Sequence, residues 1–312
     1  MATLTVPDSL PSPIEDAESL RNAFKGWGTN EKAVITVLAH RNATQRKLIR
    51  LAYEELYEED LIKRLESELS GDLEKAVYRW MFESAERDAI LANVAVKNGT
   101  IDNRVIIEIA SIRSPDELLE VKKAYHARFK RSLEEDVASH TTGDFRKLLL
   151  SLVGTYRYDG DEINGRLALS EAKILHDAIE EKNFSHEDII RILTTRSKAQ
   201  LNATFNCYKD EYDTAITKGL AGDSDEFVSA LRVIIKSICS PHKYFEKVLR
   251  NAINKQGTDE DAITRVIVTR AEKDLNEIKE AYYKRNNVTL NRAIAKDTSG
   301  DYEAFLLALL GD

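Results

Sequence analysis

"ITVLAHR" (35–41), "IIEIASIR" (106–113), "IIRILTTR" (189–196) and "ITRVIVTR" (263–270) are four versions of one phrase, an apolar run closed by arginine. A tyrosine stands twelve residues beyond each arginine, at Tyr53, Tyr125, Tyr208 and Tyr282. Nineteen or twenty residues farther on, Leu73, Phe145, Phe227 and Tyr302 each head a second apolar stretch. The arginines Arg41, Arg113, Arg196 and Arg270 are 72, 83 and 74 residues apart, so the 312 residues are four copies of one unit. Self-similarity at such a period is the signature of stacked supersecondary units. The surplus between the second and third copies falls at "GTYRYDGDEINGR" (154–166), which reads as a connector between two halves. The expected organisation is a tail (1–13), repeats at 14–85, 86–157, 168–239 and 240–312, and a connector at 158–167.

Each unit reads as helical. Behind three of the arginines come "NATQ" (42–45), "SPDE" (114–117) and "SKAQ" (197–200), a side-chain acceptor with Glu or Gln three residues on. Such a pair satisfies two free donors at a helix start reciprocally. The fourth copy has Ala271 in that place and lacks the cap. Apolar residues then recur at helical spacing, Leu48, Leu51, Ala52 and Leu56 in the first unit and Leu118, Val121 and Tyr125 in the second. Only Pro115 and Pro241 fall in the last 299 residues, which permits long helical stretches. The expected fold is all-α, with about five helices in each unit.

Composition narrows the function. Lys and Arg number 45 against 53 Asp and Glu, a formal charge of −8, which disfavours nucleic-acid binding through a globally basic surface. "FLLALL" (305–310) is among the longest apolar runs, far short of a membrane span. The first residues lack the basic and apolar segments of a secretory signal. Two cysteines, Cys207 and Cys239, make no disulfide framework and read as structural thiols of a reducing compartment.

The loops differ between copies, and the differences carry chemistry. The first unit has "FKGWGTNE" (24–31), and forty residues past its second glycine comes Glu68. The fourth has "INKQGTDE" (253–260), with Asp297 at the same distance from Gly257. Glycines let a turn aim several carbonyl oxygens inward, and a carboxylate from a distant loop completes an all-oxygen cage. That is hard-cation chemistry, suited to Ca²⁺ with its flexible coordination. In the same register the second unit has His140, a poor Ca²⁺ ligand, behind "KNGTID" (97–102). The third has "EEKNFSHED" (180–188) without glycine, and Gly222 or Asp223 at the acid position. Both middle sites are expected to be empty.

The fourfold repeat and these loops resemble the annexin family over 14–312, and "GWGTNE" resembles its plant branch. The resemblance implies four five-helix repeats arranged as a slightly curved disc and Ca²⁺-dependent, reversible binding to anionic phospholipid membranes. It further implies a cytoplasmic protein, monomeric in solution and peripheral to membranes when calcium rises, with self-association there. Carried over, the first Ca²⁺ site uses the carbonyls of Phe24, Gly26 and Gly28 with the Glu68 carboxylate. The fourth uses the carbonyls of Ile253, Lys255 and Gly257 with Asp297. Lys255 replaces a glycine of the family pattern and brings positive charge, so the first site ranks above the fourth. Minor cation positions fall at Thr29 and Glu31, at Thr258 and Glu260, and at Asp297, Thr298 and Glu303. Trp27, between the two glycines, suits the headgroup boundary.

Other readings of the same residues are weaker. Asp88, Glu108 and Arg113 with Arg265 match the polar centre between annexin halves, read here as an ion-pair network before an ion-conducting path. Arg41, Arg196 and Arg270 are expected to bind helix-end carbonyls. The family resemblance attaches peroxidase activity to His40, and a helix-end hydrogen bond is the simpler role for it. "GDEINGRL" (160–167) lacks the Lys-Ser/Thr of a phosphate-binding loop, and "DTSG" (297–300) fits calcium better than nucleotide. "IRI" (190–192) matches a string proposed for F-actin binding and reads first as core packing. The expectation is therefore a binding protein and not an enzyme.

Overall fold

The computed structural model describes every residue except 27, 98–102, 223–224, 254–256 and 312. The described residues form twenty helices, five to a repeat. The first repeat comprises α1 (Pro13–Ala23), α2 (Glu31–Leu38), α3 (Ala43–Tyr57), α4 (Leu61–Glu68) and α5 (Gly71–Met81). The second comprises α6 (Ser84–Lys97), α7 (Asn103–Ile112), α8 (Pro115–Phe129), α9 (Leu133–His140) and α10 (Gly143–Val153). The third comprises α11 (Gly165–Glu180), α12 (Glu187–Thr195), α13 (Lys198–Tyr212), α14 (Ile216–Gly219) and α15 (Glu226–Cys239). The fourth comprises α16 (Pro241–Ile253), α17 (Glu260–Arg270), α18 (Leu275–Asn286), α19 (Leu290–Asp297) and α20 (Gly300–Leu309).

The caps form where the sequence places them. Asn42 with Gln45 and Ser114 with Glu117 close reciprocal capping boxes on α3 and α8. Ser197 accepts from the Gln200 amide, but the Gln200 side chain turns away to bond both the N–H and the carbonyl of Asn164. In the fourth repeat the helix starts only at Leu275. Its N-cap, Asp274, makes no side-chain cap bond and is held instead by Arg270 at 2.6 and 2.5 Å.

Two compact units emerge, one of Met1–Arg87 with His242–Asp312 and one of Asp88–Pro241. The first repeat is therefore joined to the fourth, and the second to the third. The segment 154–166, expected to link two halves, lies inside the second unit. It is pinned to α12: Tyr158 N–H donates to the Thr195 carbonyl at 3.1 Å, and Arg157 donates to the carbonyls of Leu193 and Arg196.

Both units use the same reciprocal packing. In the first, α2 lies on α20 and α5 on α17; in the second, α7 lies on α15 and α10 on α12. Each repeat thus covers the second and fifth helices of its partner. The apolar phrases that define the repeat supply these surfaces: Ile35, Leu38, Ile106, Ile107, Ile192, Leu193, Val266 and Ile267 are buried. Burial of a Leu, Ile or Val side chain contributes about 1.5–3 kcal/mol, and no repeat covers these helices alone. In the first unit Trp80 is fully buried, donates to the Leu38 carbonyl at 2.7 Å and is stacked by Arg46 at 3.6 Å. The guanidinium of Arg46 also reaches Glu272 of the fourth repeat at 2.9 Å. The tail belongs to this unit too, with Thr3 N–H donating to the Ala271 carbonyl at 2.9 Å.

Arg46 explains a departure from the sequence reading. Helix α3 forms as expected, but it buries Arg46, Ile49 and Tyr53. Leu48, Leu51 and Leu56, which the sequence pattern offers as the apolar face, are 46%, 53% and 43% exposed. The long aliphatic stem of an arginine takes a core position when its charge finds partners there.

The repeat arginines also bind differently from expectation. Arg41 meets Asp16 at 2.7 and 2.8 Å, Arg113 meets Asp88 at 2.6 Å, and Arg196 meets Glu171 at 2.7 Å. Each acid lies 25 residues before its arginine. Carboxylates, not helix-end carbonyls, are therefore the main partners, though Arg41 also donates to the His40 carbonyl at 3.1 Å. The fourth copy has Phe245 in the acid's place; Arg270 stacks on that ring at 4.8 Å and turns to Asp274. Of the expected polar centre, the buried Asp88–Arg113 pair and Glu108 belong to the second unit and Arg265 to the first.

Candidate metal-binding loops

The loop between α1 and α2 is closed by Asn30 N–H, which donates to the Ala23 carbonyl at 2.9 Å. The Asn30 side chain then caps α2 through the Ala33 amide at 3.0 Å. Inside this closure Gly26 and Gly28 have φ of 104° and 88°. A Cβ at either would meet nothing within 4 Å, so backbone conformation and not space demands glycine there. Lys25 and Trp27 alternate with them in sequence; Trp27 lies outside the described residues.

The fourth loop repeats the design. Asp259 N–H donates to the Ala252 carbonyl at 3.1 Å, the Asp259 side chain caps α17, and Gly257 has φ of 80°. Lys255 lies outside the described residues, while Ile253 ends α16.

The distant acids meet these loops through threonine. Thr29 Oγ1 donates to a Glu68 carboxylate oxygen and reaches the Glu68 carbonyl at 3.3 Å. Thr258 Oγ1 donates to Asp297 Oδ2 at 2.7 Å and reaches the Asp297 carbonyl at 3.5 Å. The sequence reading set Thr29 and Thr258 at minor positions; the structure makes them the ties between loop and acid. The oxygen Glu68 Oε1 is held by Arg64 at 2.6 Å, and the same Arg64 nitrogen approaches the Phe24 carbonyl at 3.5 Å. One cationic nitrogen therefore reaches two of the expected ligands. Carbonyl and carboxylate oxygens gathered this way fit a hard cation.

Glu31 and Glu260, in the first turns of α2 and α17, line a cavity of about 360 Å³ within the first unit. Asp297 and Thr298 line it as well, together with Asp72 and Asp301, which the sequence reading missed. Their signal was present: both follow a Ser-Gly pair and occupy one register in "LSGD" and "TSGD". Glu303 stands in the first turn of α20 and is not in that lining. Among the described residues no three His, Cys, Asp or Glu side chains converge on one point.

The corresponding cavity of the second unit, about 500 Å³, is lined by His140, Asp144, Lys182 and Asp225 among others. Its charges are mixed where those of the first unit are all acidic. The His140 Nδ1 contacts the carbonyl of Asp136 in its own helix at 2.8 Å. The loop 98–102 and Asp223 lie outside the described residues. In the third repeat, Asn183 N–H closes on the Ala178 carbonyl at 2.9 Å with Lys182, not glycine, at positive φ.

Comparison with known proteins completes the picture. The annexin repeat pattern matches residues 15–80, 87–152, 170–234 and 244–309. The chain belongs to the annexin family. Its sequence is 64% identical over 312 residues to annexin-like protein RJ4 of Fragaria ananassa, covering 100% of this chain and 99% of that protein. It is 60% identical over 312 residues to annexin D7 of Arabidopsis thaliana, with the same coverage. The fold superposes on annexin III with a TM-score of 0.93 at 32% identity, covering 100% of this chain and 97% of that one. Calcium-bound annexin (Sm)1 gives 0.86 at 30% identity, covering 100% and 93%. Membership implies calcium-dependent phospholipid binding, the role of a family of binding proteins more than of enzymes. Among the described residues of this annexin, no helix is long and apolar enough to cross a membrane.

The remaining motifs make contacts of their own. The His40 ring contacts the Thr36 carbonyl at 3.2 Å, at the end of α2. Within "IRI", Ile190 and Ile192 are buried and Arg191 bonds Asp188. Cys207 and Cys239 are free thiols, both partly buried. Burial pushes the Cys239 thiol up to about 12, so at pH 8 only about one molecule in ten thousand carries the reactive thiolate. A disulfide reagent at pH 8 is therefore expected to label native Cys239 orders of magnitude more slowly than the unfolded chain. The C239S variant isolates the Cys207 signal; equal labelling rates for native and unfolded Cys239 refute the expectation.

Proposed function

We propose that this annexin docks reversibly on anionic phospholipid surfaces through Ca²⁺ held by the loops of its first and fourth repeats. The observation that supports this most is the repeated tie between loop and acid, Thr29 to Glu68 and Thr258 to Asp297, each across 39 residues. The ligands at the first loop are the carbonyls of Phe24, Gly26 and Gly28 with the Glu68 carboxylate. Those at the fourth are the carbonyls of Ile253, Lys255 and Gly257 with Asp297. The second and third repeats, with His140 and a glycine-free loop, hold none.

A chain of charge −8 is repelled by an anionic surface. Bound Ca²⁺ reverses the charge locally and offers coordination positions to headgroup phosphate oxygens. The chain's own contribution is to fix the carbonyls with left-handed glycines and to hold the acid at the loop through threonine. Both loops lead into helices whose first turns line one acidic cavity, so the two sites belong to one unit and serve a common surface. Trp27 extends that contact into the headgroup region.

Sedimentation with phosphatidylserine-containing vesicles tests the reading. Binding is expected to rise with CaCl₂ and to reverse on adding a chelator, while phosphatidylcholine vesicles bind less. Equal sedimentation with and without chelator would remove calcium from the mechanism.

A further inference from the structure

At the first loop a helix-borne arginine, Arg64, stands on two of the candidate ligands. Arg64, on α4, places one guanidinium nitrogen 2.6 Å from Glu68 Oε1 and 3.5 Å from the Phe24 carbonyl. Its other terminal nitrogen stands 3.6 Å from Glu59, which Arg21 holds at 2.7 Å. The guanidinium also stacks beside the Phe24 ring at 5.7 Å, and its Nε is buried without a hydrogen-bond partner. With Thr29 on the second carboxylate oxygen, both oxygens of Glu68 are engaged by the protein. In the fourth repeat the register of Arg64 is occupied by Ala293 and that of Glu59 by Val288. There Asp297 receives the threonine alone of these two contacts.

We infer that Arg64 competes with Ca²⁺ for the first site and raises the calcium concentration at which that site loads. The inference rests on the proposed reading of the first loop as a Ca²⁺ site. Two cations cannot share the Phe24 carbonyl and Glu68 oxygen at these distances. Loading therefore requires the guanidinium to withdraw, and Glu59 is the carboxylate already beside it. Even after withdrawal, a positive charge within a few ångströms opposes a divalent ion, an effect of about tenfold in affinity once salt screening is included. Arg64 thus opposes the advantage that two glycines confer on the first loop.

Calorimetric titration with CaCl₂ in an Asp297→Asn background isolates the first site. There Arg64→Gln is expected to tighten Ca²⁺ binding by about tenfold, and Arg64→Lys, which keeps the charge, by much less. Unchanged or weaker binding in Arg64→Gln, with helical content retained, overturns the inference and leaves Arg64 as a structural prop of the loop. A second measurement leaves Arg64 in place. The Arg64 guanidinium NMR signal, assigned by its loss in Arg64→Lys, is expected to shift with CaCl₂ in Asp297→Asn but not in Glu68→Gln/Asp297→Asn. A signal indifferent to CaCl₂ while calorimetry records binding overturns competition. Absence of Ca²⁺ binding from both Asp297→Asn and its Arg64→Gln derivative refutes instead the first loop as a site, a distinct failure.

Discussion

Glu68→Gln combined with Asp297→Asn is expected to remove calcium-dependent vesicle binding while leaving the helical fold intact. Each change deletes one negative charge from a candidate site and preserves shape. A hard cation loses its anionic ligand at both loops, and ligand charge is a main determinant of Ca²⁺ affinity. The CaCl₂ needed for half-maximal binding should rise by at least about tenfold, read by sedimentation with phosphatidylserine-containing vesicles. The amide oxygen of either replacement still accepts from Thr29 or Thr258, so the tie between loop and acid survives. Loss of the partly exposed Arg64–Glu68 pair costs about 1 kcal/mol or less. Vesicle binding at unaltered CaCl₂ in the double variant would show that these acids are not the ligands. The single variants then apportion the effect between the first and fourth repeats.

Asp16→Ala is expected to produce the largest loss of stability among the repeat ion pairs. The Asp16 and Arg41 side chains are 4% and 6% exposed, and the guanidinium engages both carboxylate oxygens. Removing the acid leaves a buried cation with its main partner gone, a change that costs about 3–5 kcal/mol. The fourth repeat supplies the contrast. There Phe245 replaces the acid, and Arg270 uses ring stacking and Asp274, whose side chain is 28% exposed. Asp274→Ala should therefore cost markedly less than Asp16→Ala, since water can reach the vacated place. Urea unfolding followed by far-ultraviolet circular dichroism compares them; equal losses would refute the burial argument.

Much of the fold is legible locally. A cap such as Asn42 with Gln45 or Ser114 with Glu117 involves residues three apart, so its chemistry is complete within the segment that shows it. The candidate loops are legible for a related reason, because a left-handed glycine such as Gly26 or Gly28 announces a backbone conformation directly. Yet positive φ is also adopted at Glu58, Lys130, Asp213 and Asn287, in one register at the ends of α3, α8, α13 and α18. None of these is glycine, and only Asp213 and Asn287 are types that favour this conformation, so residue type alone does not disclose the caps at Glu58 and Lys130, whose N–H groups bond the Glu54 and His126 carbonyls. Arg64 escaped notice for a different reason. Its pairing with Glu68 is an ordinary i,i+4 contact within α4, and only the approach of α4 to the first loop adds the Phe24 carbonyl, a second candidate ligand.

The sequence by itself determined four copies, about five helices in each, the capped starts of three of them, and which two copies carry glycine loops with distant acids. These depend on periodicity and local hydrogen bonding, which short segments specify. Tertiary structure alone decided that the first repeat joins the fourth and the second the third. It also decided that α3 turns Arg46 inward and Leu48, Leu51 and Leu56 outward. Those outcomes rest on partners far away in the chain, such as Glu272 for Arg46 across 226 residues. An amphipathic pattern shows that a helix has an apolar face, but the surface available to cover it selects the face that is buried.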